Sequence, residues 1–306
     1  MRILHLDQNH EYLSSELEKL GFENHYDYKS SKDEILEKID SYVGIIIRSR
    51  IIIDDEIIKS ANKLKFIARV GAGLENIDLV SAKKNSIQVL SAGEANSNAV
   101  GEHAIGMLLN LMNNIGISNE EIKTNVWERE KNRGIELEKK VVGIIGFGKT
   151  GQSFAKKLSG FDCKVIFNDI KEIPSNEFAN SVSLNDIKLE SDIISIHTDL
   201  NQSSFNLINI DFINSCEKNF ILINTSRGKC VNSKDLVTGL KNKKITGCCL
   251  DVLDIEDISF ENIKKNNDFD FLKNSNNVIL TPHIAGWTIE SKLKLSKVII
   301  EKIKEL

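Results

Sequence analysis

The stretch VVGIIGFGKTGQSFAKKL, residues 141–158, decides the fold that we expect for this chain. Branched apolar residues at 141–145 predict a buried strand, and the residues from 149 onward have the pattern of a helix. Three glycines, Gly146, Gly148 and Gly151, lie where the strand would pass into the helix. Such a GxGxxG sequence is either the phosphate-binding loop of a dinucleotide domain or only a tight turn without a ligand.

The residues that follow the loop favour a dinucleotide. In dinucleotide domains an acidic residue ends the next strand, about 20 residues further on, and accepts hydrogen bonds from the adenosine ribose. Here the strand KVIFND ends at Asp169, close to that distance after Gly151. The helix N-terminus would supply N–H donors and positive potential to a pyrophosphate. A carboxylate at Asp169 would repel a 2′-phosphate, so the pattern favours NAD over NADP.

Apolar runs of strand length alternate with helical patterns on both sides of the loop. Upstream strands are predicted at 2–6, 42–47, 65–70 and 87–90, and a long apolar helix is predicted to begin near Asn98. Downstream, five runs join the strand at 141–145 to make six: CKVIFND, DIISIHT, NFILINT, KITGCCLDV and NVILTPH. This alternation predicts α/β domains with parallel sheets covered by helices on both faces. The amphipathic C-terminal segment is expected to fold back on the first domain.

Length and composition limit the classes of protein that the chain can belong to. At 306 residues two domains are expected, and the net charge of −4 argues against binding to nucleic acid by neutralising phosphates. No apolar run approaches the roughly 18 residues needed to span a bilayer, and the N-terminus lacks the apolar core of a signal peptide. The five cysteines show no CxxC spacing. We therefore expect a cytoplasmic protein with reduced thiols, no metal site and no membrane partner.

Three ionisable residues follow later strands of the series, namely Arg227, Glu256 and His283. Ligands of open α/β sheets bind beyond the carboxyl ends of the strands, so these side chains are expected on one rim. Hydride transfer at a carbon that bears oxygen needs a group to handle the proton, which suits His283. Glu256 would favour its imidazolium form, and Arg227 would bind a carboxylate through its planar fork. Taken singly, each also has a plain alternative, as a turn residue, a solvated acid or a surface ion pair.

Six segments together resemble the D-isomer specific 2-hydroxyacid dehydrogenase family, in order along nearly the whole chain. They are GAGLENID (71–78), NSNAVGEHA (96–104), GIIGFGKTG (143–151), NTSRG (224–228), LDVLDIE (250–256) and TPHIAG (281–286). The resemblance implies two doubly wound parallel-sheet domains, with a Rossmann NAD-binding domain at 97–286 inserted into a flavodoxin-like substrate-binding domain at 1–96 plus 287–306. It also implies a homodimer or a dimer-based tetramer.

The resemblance further implies a role for individual residues. Arg227 would bind the substrate carboxylate and carbonyl, Glu256 would pair with His283, and His283 would be the acid/base. The backbone of Gly71, Ala72 and Gly73 would bind the substrate carboxylate. The family contacts NAD at positions that here are Gly146, Gly148, Lys149, Thr150, Gly151, Asp169, His197, Thr198, Thr225, Ser226, Asp251, Ala285 and Gly286.

The chain departs from the family pattern at three positions. Asp257 and Asp199 stand where the family usually has proline, and both changes are expected to loosen their loops. Trp287 stands where a small residue is common and leaves the size of the substrate open. The other histidines, including His103 in the long helix, are expected to be packed or on the surface.

The choice of substrate depends on basic residues. The RSR segment with Arg48 and Arg50, and VWER with Arg129, resemble segments that bind phosphate in the phosphoglycerate dehydrogenases of the family. These basic residues favour oxidation of 3-phosphoglycerate, a reaction of serine biosynthesis. Feedback by serine through a regulatory domain is not expected. Alternatively, Arg48 only ends a strand, Arg129 is solvated, and the substrate is glyoxylate, hydroxypyruvate or lactate. A non-catalytic, NAD-sensing module similar to a transcriptional corepressor is the alternative from a different class.

Overall fold

The computed structural model describes residues 1–257 and 262–306, and the chain divides into two compact units. The first unit comprises Met1–Asn96 and Trp287–Leu306, and Asp257 and Asn262 group with it. The second unit comprises Ser97–Glu256 and Ile263–Gly286. No described helix has the length and apolar character required to cross a membrane.

The first unit is built on a five-stranded parallel sheet in the order β2-β1-β3-β4-β5. Its strands are β1 (Arg2–His5), β2 (Glu23–Tyr26), β3 (Gly44–Ile47), β4 (Phe66–Arg69) and β5 (Gln88–Ser91). This is the order of flavodoxin-like sheets. Four of these strands were expected from apolar runs. The sequence pattern misses β2, because ENHY is a polar edge strand that stays partly exposed on both faces.

Four helices connect these strands: α1 (Glu11–Lys19), α2 (Lys32–Leu36), α3 (Asp55–Ser60) and α4 (Leu79–Lys84). Side chains accept hydrogen bonds from first-turn N–H groups at the N-caps of all four, which explains where these short helices begin. The sheet is buried on both faces between two apolar clusters, as expected for strands such as GIII in β3.

The second unit contains a seven-stranded parallel sheet in the order β12-β11-β10-β9-β6-β7-β8. Its strands are β6 (Val141–Ile145), β7 (Lys164–Asn168), β8 (Asn180–Ser181), β9 (Ile193–Ile196), β10 (Phe220–Asn224), β11 (Ile245–Leu250) and β12 (Val278–Leu280). Six of them were expected. The seventh, β8, is two exposed residues at the sheet edge, too short to leave a periodic pattern.

Seven helices belong to the second unit: α5 (Ser97–Met112), α6 (Ile115–Lys123), α7 (Lys149–Leu158), α8 (Leu184–Glu190), α9 (Ile210–Ser215), α10 (Ser233–Lys241) and α11 (Asn267–Lys273). Apolar clusters cover both faces of the sheet. The strand order reverses at β6, which lies between β7 and β9. Open α/β sheets bind their ligands at such a switch point, beyond the carboxyl ends of the strands.

The last helix, α12 (Ile289–Lys304), belongs to the first unit. Its buried face, including Ile299, joins the apolar cluster that contains Leu13 of α1. Lys302 anchors the helix further, because its Nζ donates a 2.6 Å hydrogen bond to the carbonyl of Ser91 at the end of β5.

The cysteines of the chain are all free thiols. Cys248 and Cys249 lie in β11 and are fully buried, and burial raises the pKa of both thiols. This agrees with the expectation of packed strand thiols. In the part of the chain that the structure describes, no three His, Cys, Asp or Glu side chains are grouped as a metal ion would require.

Candidate active site and cofactor site

The glycine loop after β6 contains glycines with two different functions. Gly146 has a φ of +89°, and a Cβ there would lie 2.6 Å from the carbonyl oxygen of His197. A Cβ on Gly151 would lie 2.3 Å from the carbonyl oxygen of Gly146. The fold itself therefore requires both of these glycines. Gly148 differs, because its φ of −70° suits any residue and a Cβ there would meet no described atom within 4 Å.

Gly148 is also the N-cap of α7, and no side chain caps that helix. The first N–H groups of a helix need acceptors, and here Gly148 leaves open space in front of them. Lys149, which is exposed, and Thr150, which is partly buried, form the first turn. An anion such as a pyrophosphate fits this arrangement of N–H donors, positive helix potential and absent Cβ.

Asp169 lies at the end of β7 and is tied to the glycine loop. Its Oδ2 accepts a 2.6 Å hydrogen bond from the N–H of Phe147, and its Oδ1 accepts one of 2.8 Å from the N–H of Lys171. Each carboxylate oxygen can accept a further hydrogen bond, so the side chain can still receive ribose hydroxyls. Its negative charge beside the loop disfavours a 2′-phosphate.

Two buried polar atoms at the carboxyl ends of β9 and β10 lack a hydrogen-bond partner within the described structure. They are Nδ1 of His197 and Oγ1 of Thr225. The other ring nitrogen of His197 lies 2.8 Å from Oγ of Ser195, and burial lowers the pKa of the imidazole to about 3. A buried polar atom without a partner costs about 1–3 kcal/mol. Together with the open space at Gly148, these atoms fit a domain whose polar groups are completed by a bound dinucleotide.

Two other hydroxyls expected at the cofactor have neighbours inside the unit. Thr198 Oγ1 lies 3.6 Å from Sγ of Cys230, and Ser226 donates a 2.9 Å hydrogen bond to Oδ1 of Asn224. Asn224 is fully buried and shapes the turn after β10, because its Nδ2 also donates to the carbonyl of Arg227. The two hydroxyls thus help to shape the loops around the cofactor site.

Glu256 and His283 form the pair that the sequence predicted. The Nδ1 of His283 lies 2.8 Å from Oε2 of Glu256, and both side chains are mostly buried. The other carboxylate oxygen of Glu256 accepts a hydrogen bond from the N–H of Leu253. The imidazole is therefore oriented by a carboxylate that is itself held by the backbone.

Asp251, which was expected to contact NAD, contacts the loop that carries His283. It is buried after β11, and both of its carboxylate oxygens are occupied by the loop that carries His283. Oδ1 accepts hydrogen bonds from Thr281 Oγ1 at 2.6 Å and from the N–H of Ile284 at 2.8 Å, and Oδ2 accepts one from the N–H of Ala285 at 2.8 Å. The geometry thus assigns Asp251 to holding the loop around His283, and Ala285 takes part through its backbone.

The backbone of His283 adopts a φ of +56°, a left-handed conformation that side chains seldom adopt. Its N–H donates to the carbonyl oxygens of Asp251 at 2.8 Å and Thr281 at 3.0 Å. Strained backbone of this kind persists only where neighbouring groups hold it, and it is concentrated at functional sites. No sequence pattern indicated this conformation.

His103 is a member of this network that sequence reasoning left out. It projects from α5, and its Nε2 lies 3.0 Å from Thr281 Oγ1 and 3.5 Å from Oδ1 of Asp251. The sequence suggested only that His103 is packed within a helix. The available sequence signal was weak: the hydroxyl of Thr281, in the segment TPH, needs hydrogen-bond partners, and a histidine in a helix is one of the residue types that can supply one.

Arg227 follows β10 and lies on the same edge of the sheet as Glu256 and His283. A Cβ on Gly228 would lie only 1.9 Å from the carbonyl oxygen of Leu253, so the two loops are in direct backbone contact. The Leu253 N–H in turn binds Glu256. The loops that carry Arg227, Glu256 and His283 are therefore linked within the second unit, as their positions after three strands predicted.

In the first unit, Gly71, Ala72 and Gly73 follow β4. A Cβ on Gly71 would lie 1.2 Å from Nη1 of Arg69, so the arginine side chain crosses directly over this glycine. Among the described residues, the N–H groups of Ala72 and Gly73 make no backbone hydrogen bond. Free backbone donors of this kind are suited to a carboxylate.

The two arginines of the RSR segment have different surroundings. Arg50 donates from Nε to the carbonyl of Leu6 at 2.7 Å, from Nη1 to that of Ser30 at 2.7 Å and from Nη2 to that of Asp27 at 3.2 Å. These bonds use its guanidinium to hold loops of the first unit together. They argue against the expected role of Arg50 in substrate binding.

Arg48 instead lies over Trp287, with its guanidinium carbon 3.8 Å from the centre of the ring. Arg129 lies in a turn after α6 and is exposed. These two residues remain as candidates for binding an anionic substrate.

Comparison with known proteins agrees with this geometry. The family model described as "D-isomer specific 2-hydroxyacid dehydrogenase, NAD binding domain" matches residues 105–285. A hydroxypyruvate reductase of Thermotoga maritima is 33% identical over 90% of this chain and 88% of its own length. A D-3-phosphoglycerate dehydrogenase of Methanocaldococcus jannaschii is 32% identical over 100% of this chain but only 57% of its own length.

The fold also matches solved structures. A glyoxylate reductase from Paecilomyes thermophila superimposes with a TM-score of 0.89 over 100% of this chain and 94% of that protein, at 22% identity. That likeness concerns the fold alone, whereas the sequence matches extend to the glycine loop and to the segments around Arg227, Glu256 and His283. The chain belongs to the family of NAD-dependent, D-isomer specific 2-hydroxyacid dehydrogenases.

Proposed function

We propose that the protein interconverts a small D-2-hydroxy acid and its 2-keto acid, with 3-phosphoglycerate and 3-phosphohydroxypyruvate as the best candidate pair. The observation that carries the proposal is the hydrogen-bonded pair of His283 and Glu256 at the carboxyl edge of the cofactor sheet. Hydride transfer at an oxygen-bearing carbon needs such a proton-handling group.

In the proposed reaction, NAD supplies or accepts the hydride when it is bound. His283 donates a proton to the keto oxygen during reduction and removes the hydroxyl proton during oxidation. Glu256 fixes the ring through Nδ1, which leaves Nε2 as the nitrogen that exchanges the proton. Arg227 binds the substrate carboxylate and polarises the keto oxygen. In the first unit, the N–H groups of Ala72 and Gly73 are candidate donors to a carboxylate.

The NAD contacts that we propose are the backbone of Gly146 to Gly151, Asp169 for the ribose, and the buried polar atoms of His197 and Thr225. We also place Thr198, Ser226 and Gly286 beside the bound NAD in this proposal.

Two features support a phosphorylated substrate. Among the described residues the guanidinium of Arg48 makes no hydrogen bond and stacks on Trp287, and phosphoglycerate dehydrogenases are among the relatives. The chain spans about half the length of the phosphoglycerate dehydrogenases that it matches. The role of Arg50 in the fold favours the second candidate, a hydroxypyruvate, glyoxylate or lactate type of reductase, because it removes one of the expected phosphate ligands.

The test is NADH oxidation with a panel of phosphohydroxypyruvate, hydroxypyruvate, glyoxylate and pyruvate. We expect the highest kcat/KM with phosphohydroxypyruvate. Higher values with any unphosphorylated acid would reject the phosphoglycerate assignment and keep the dehydrogenase. Tight NADH binding without turnover of any of them would instead favour a non-catalytic, NAD-sensing module.

We also propose a homodimer formed through the second unit. Large apolar side chains are exposed near the C-terminal end of α5, on α6 and in the segment that follows it, including Ile115, Ile122, Trp127 and Ile135. Exposed apolar groups of this kind are typical of interaction surfaces. Light scattering on the purified protein, and on a Trp127→Glu variant expected to be monomeric, tests the proposal.

A further inference from the structure

The guanidinium of Arg48 is oriented by stacking. Arg48 follows β3 at the carboxyl edge of the first sheet, and its own N–H donates a 2.6 Å hydrogen bond to Oδ2 of Asp7. That bond fixes the backbone of Arg48 but not its side chain. The side chain is oriented by Trp287, because the guanidinium carbon lies 3.8 Å from the centre of the tryptophan ring. Both residues belong to the first unit.

The N–H groups of this guanidinium have no acceptor in the described part of the chain. Burial lowers the pKa of Arg48, and the nearby charge of Asp7 acts in the opposite direction. Arg50, two residues away, has three of its donors bound to carbonyl oxygens. Arg48 is therefore the arginine of this segment that keeps its planar fork available, although it is largely removed from water. Such a group gains most from an anionic ligand.

Trp287 is itself unusual in its exposure. It is 63% exposed, so the apolar core does not account for a tryptophan at this position. Stacking on one face restricts the plane of a guanidinium but leaves its N–H edge open. A tryptophan here thus orients Arg48 without using any of the hydrogen bonds that a ligand would need.

We infer that Trp287 is a positioning residue that acts through Arg48 and determines the preference for substrates with a second anionic group, of which a phosphate is the best fit. This inference rests on the proposed function, because it concerns the substrate of the same reaction. Trp287 and Arg48 lie in the first unit, whereas the acid/base pair lies in the second unit.

The test compares kcat/KM for phosphohydroxypyruvate with kcat/KM for glyoxylate, which has no phosphate. Trp287→Ala is expected to lower this ratio about three- to thirtyfold, mainly through KM for the phosphorylated acid. Trp287→Phe, which keeps an aromatic face, should retain most of the wild-type ratio. Ile289→Ala is the matched control, because Ile289 is 89% exposed two residues further along the same segment and should leave the ratio unchanged.

A double-mutant cycle decides whether Trp287 acts through Arg48. In an Arg48→Ala background, Trp287→Ala should lower the ratio no further. If Trp287→Ala lowers the ratio equally in the wild-type and Arg48→Ala backgrounds, the tryptophan ring contacts the substrate directly. If Trp287→Ala alone leaves the ratio unchanged, Trp287 does not position Arg48. Either result overturns the inference while the proposed substrate stands. A wild-type protein that neither turns over phosphohydroxypyruvate nor is inhibited by 3-phosphoglycerate rejects the proposed substrate, and the inference with it.

Discussion

His283 Nδ1 and Glu256 Oε2 are 2.8 Å apart, although the two residues belong to different loops at the edge of the cofactor sheet. A buried carboxylate, that of Asp251, holds the loop that carries His283. The Asp251 carboxylate accepts hydrogen bonds from the hydroxyl of Thr281 before His283 and from the N–H groups of Ile284 and Ala285 after it, and the φ of His283 is +56°. The acid/base pair is thus a product of the loop geometry as much as of the two side chains.

Removal of the imidazole should abolish proton transfer and leave the cofactor site intact. We expect His283→Ala to lower kcat by roughly 10²- to 10⁴-fold, as for the loss of a general acid/base. The Kd for NADH, measured by fluorescence titration, should stay close to that of the wild type. An equal loss of NADH affinity would indicate that His283 serves mainly to shape the loop.

Glu256→Gln should lower kcat by roughly tenfold or more. The amide can still accept one hydrogen bond, but it removes the charge that favours the imidazolium during reduction of the keto acid. Glu256→Asp, which keeps the charge on a shorter side chain, serves as the control and should retain more of the activity. An unchanged kcat in Glu256→Gln would contradict the pairing.

Burial of His197 predicts acid sensitivity of the fold. Its pKa falls from 6.5 to about 3 on folding, so between these values the unfolded chain binds more protons than the folded one. The free energy of unfolding should therefore decrease as the pH falls below about 6.5, by up to about 1.4 kcal/mol per pH unit for this group. His5, whose pKa is also lowered by burial, acts in the same direction.

Urea denaturation between pH 7.5 and 4.5 measures this effect. His197→Gln should reduce the dependence of the unfolding free energy on pH by the equivalent of about one proton. This holds whatever the substitution does to stability at pH 7.5, where His197 and His5 are neutral. A slope equal to that of the wild type would show that His197 is not responsible.

The sequence predicted the features that depend on strand periodicity and on positions after strands. The rim that carries Arg227, Glu256 and His283 follows from the carboxyl ends of parallel strands, and the structure confirms that their loops are linked. Strands without an apolar pattern, β2 and β8, were missed because edge strands need not bury either face.

Contacts that depend on how loops without a recognisable motif pack together could not be predicted. Arg48 and Arg50 are alike in sequence, yet one stacks on Trp287 and the other binds three carbonyl groups. Which arginine is available depends on the loops that follow β1 and β2, and no local pattern encodes them. The same holds for Asp251, which accepts hydrogen bonds from a loop about 30 residues further along the chain.

Asp169 should determine the choice of cofactor through its charge. We expect Asp169→Asn to raise the ratio of kcat/KM for NADPH over NADH by roughly 10- to 100-fold, because the repulsion of a 2′-phosphate is removed. Asparagine can still accept a hydrogen bond from the Phe147 N–H, so the glycine loop should keep its shape. Asp169→Ala loses that bond as well and should weaken binding of both cofactors. A wild-type protein that already prefers NADPH would contradict this role of Asp169.

The three glycines of the loop should respond differently to alanine, and the difference separates a ligand-binding loop from a simple turn. Gly151→Ala places a Cβ 2.3 Å from a backbone oxygen, and Gly146→Ala adds a positive φ to a 2.6 Å clash. Both should lower the free energy of unfolding by about 1–3 kcal/mol or more. Gly148→Ala meets open space at a φ of −70°, so the Tm should change little.

Gly148→Ala should nevertheless raise the Kd for NADH by about tenfold or more, because the added methyl group occupies the space in front of the α7 N-terminus where a pyrophosphate would lie. Thermal melts and NADH titrations of the three variants, with Gly160→Ala as a control that also meets open space but lies beyond the far end of α7, give the comparison. If Gly148→Ala binds NADH like the wild type, the glycine serves no cofactor. If the Tm of Gly148→Ala falls as far as that of Gly151→Ala, Gly148 is needed only for the turn.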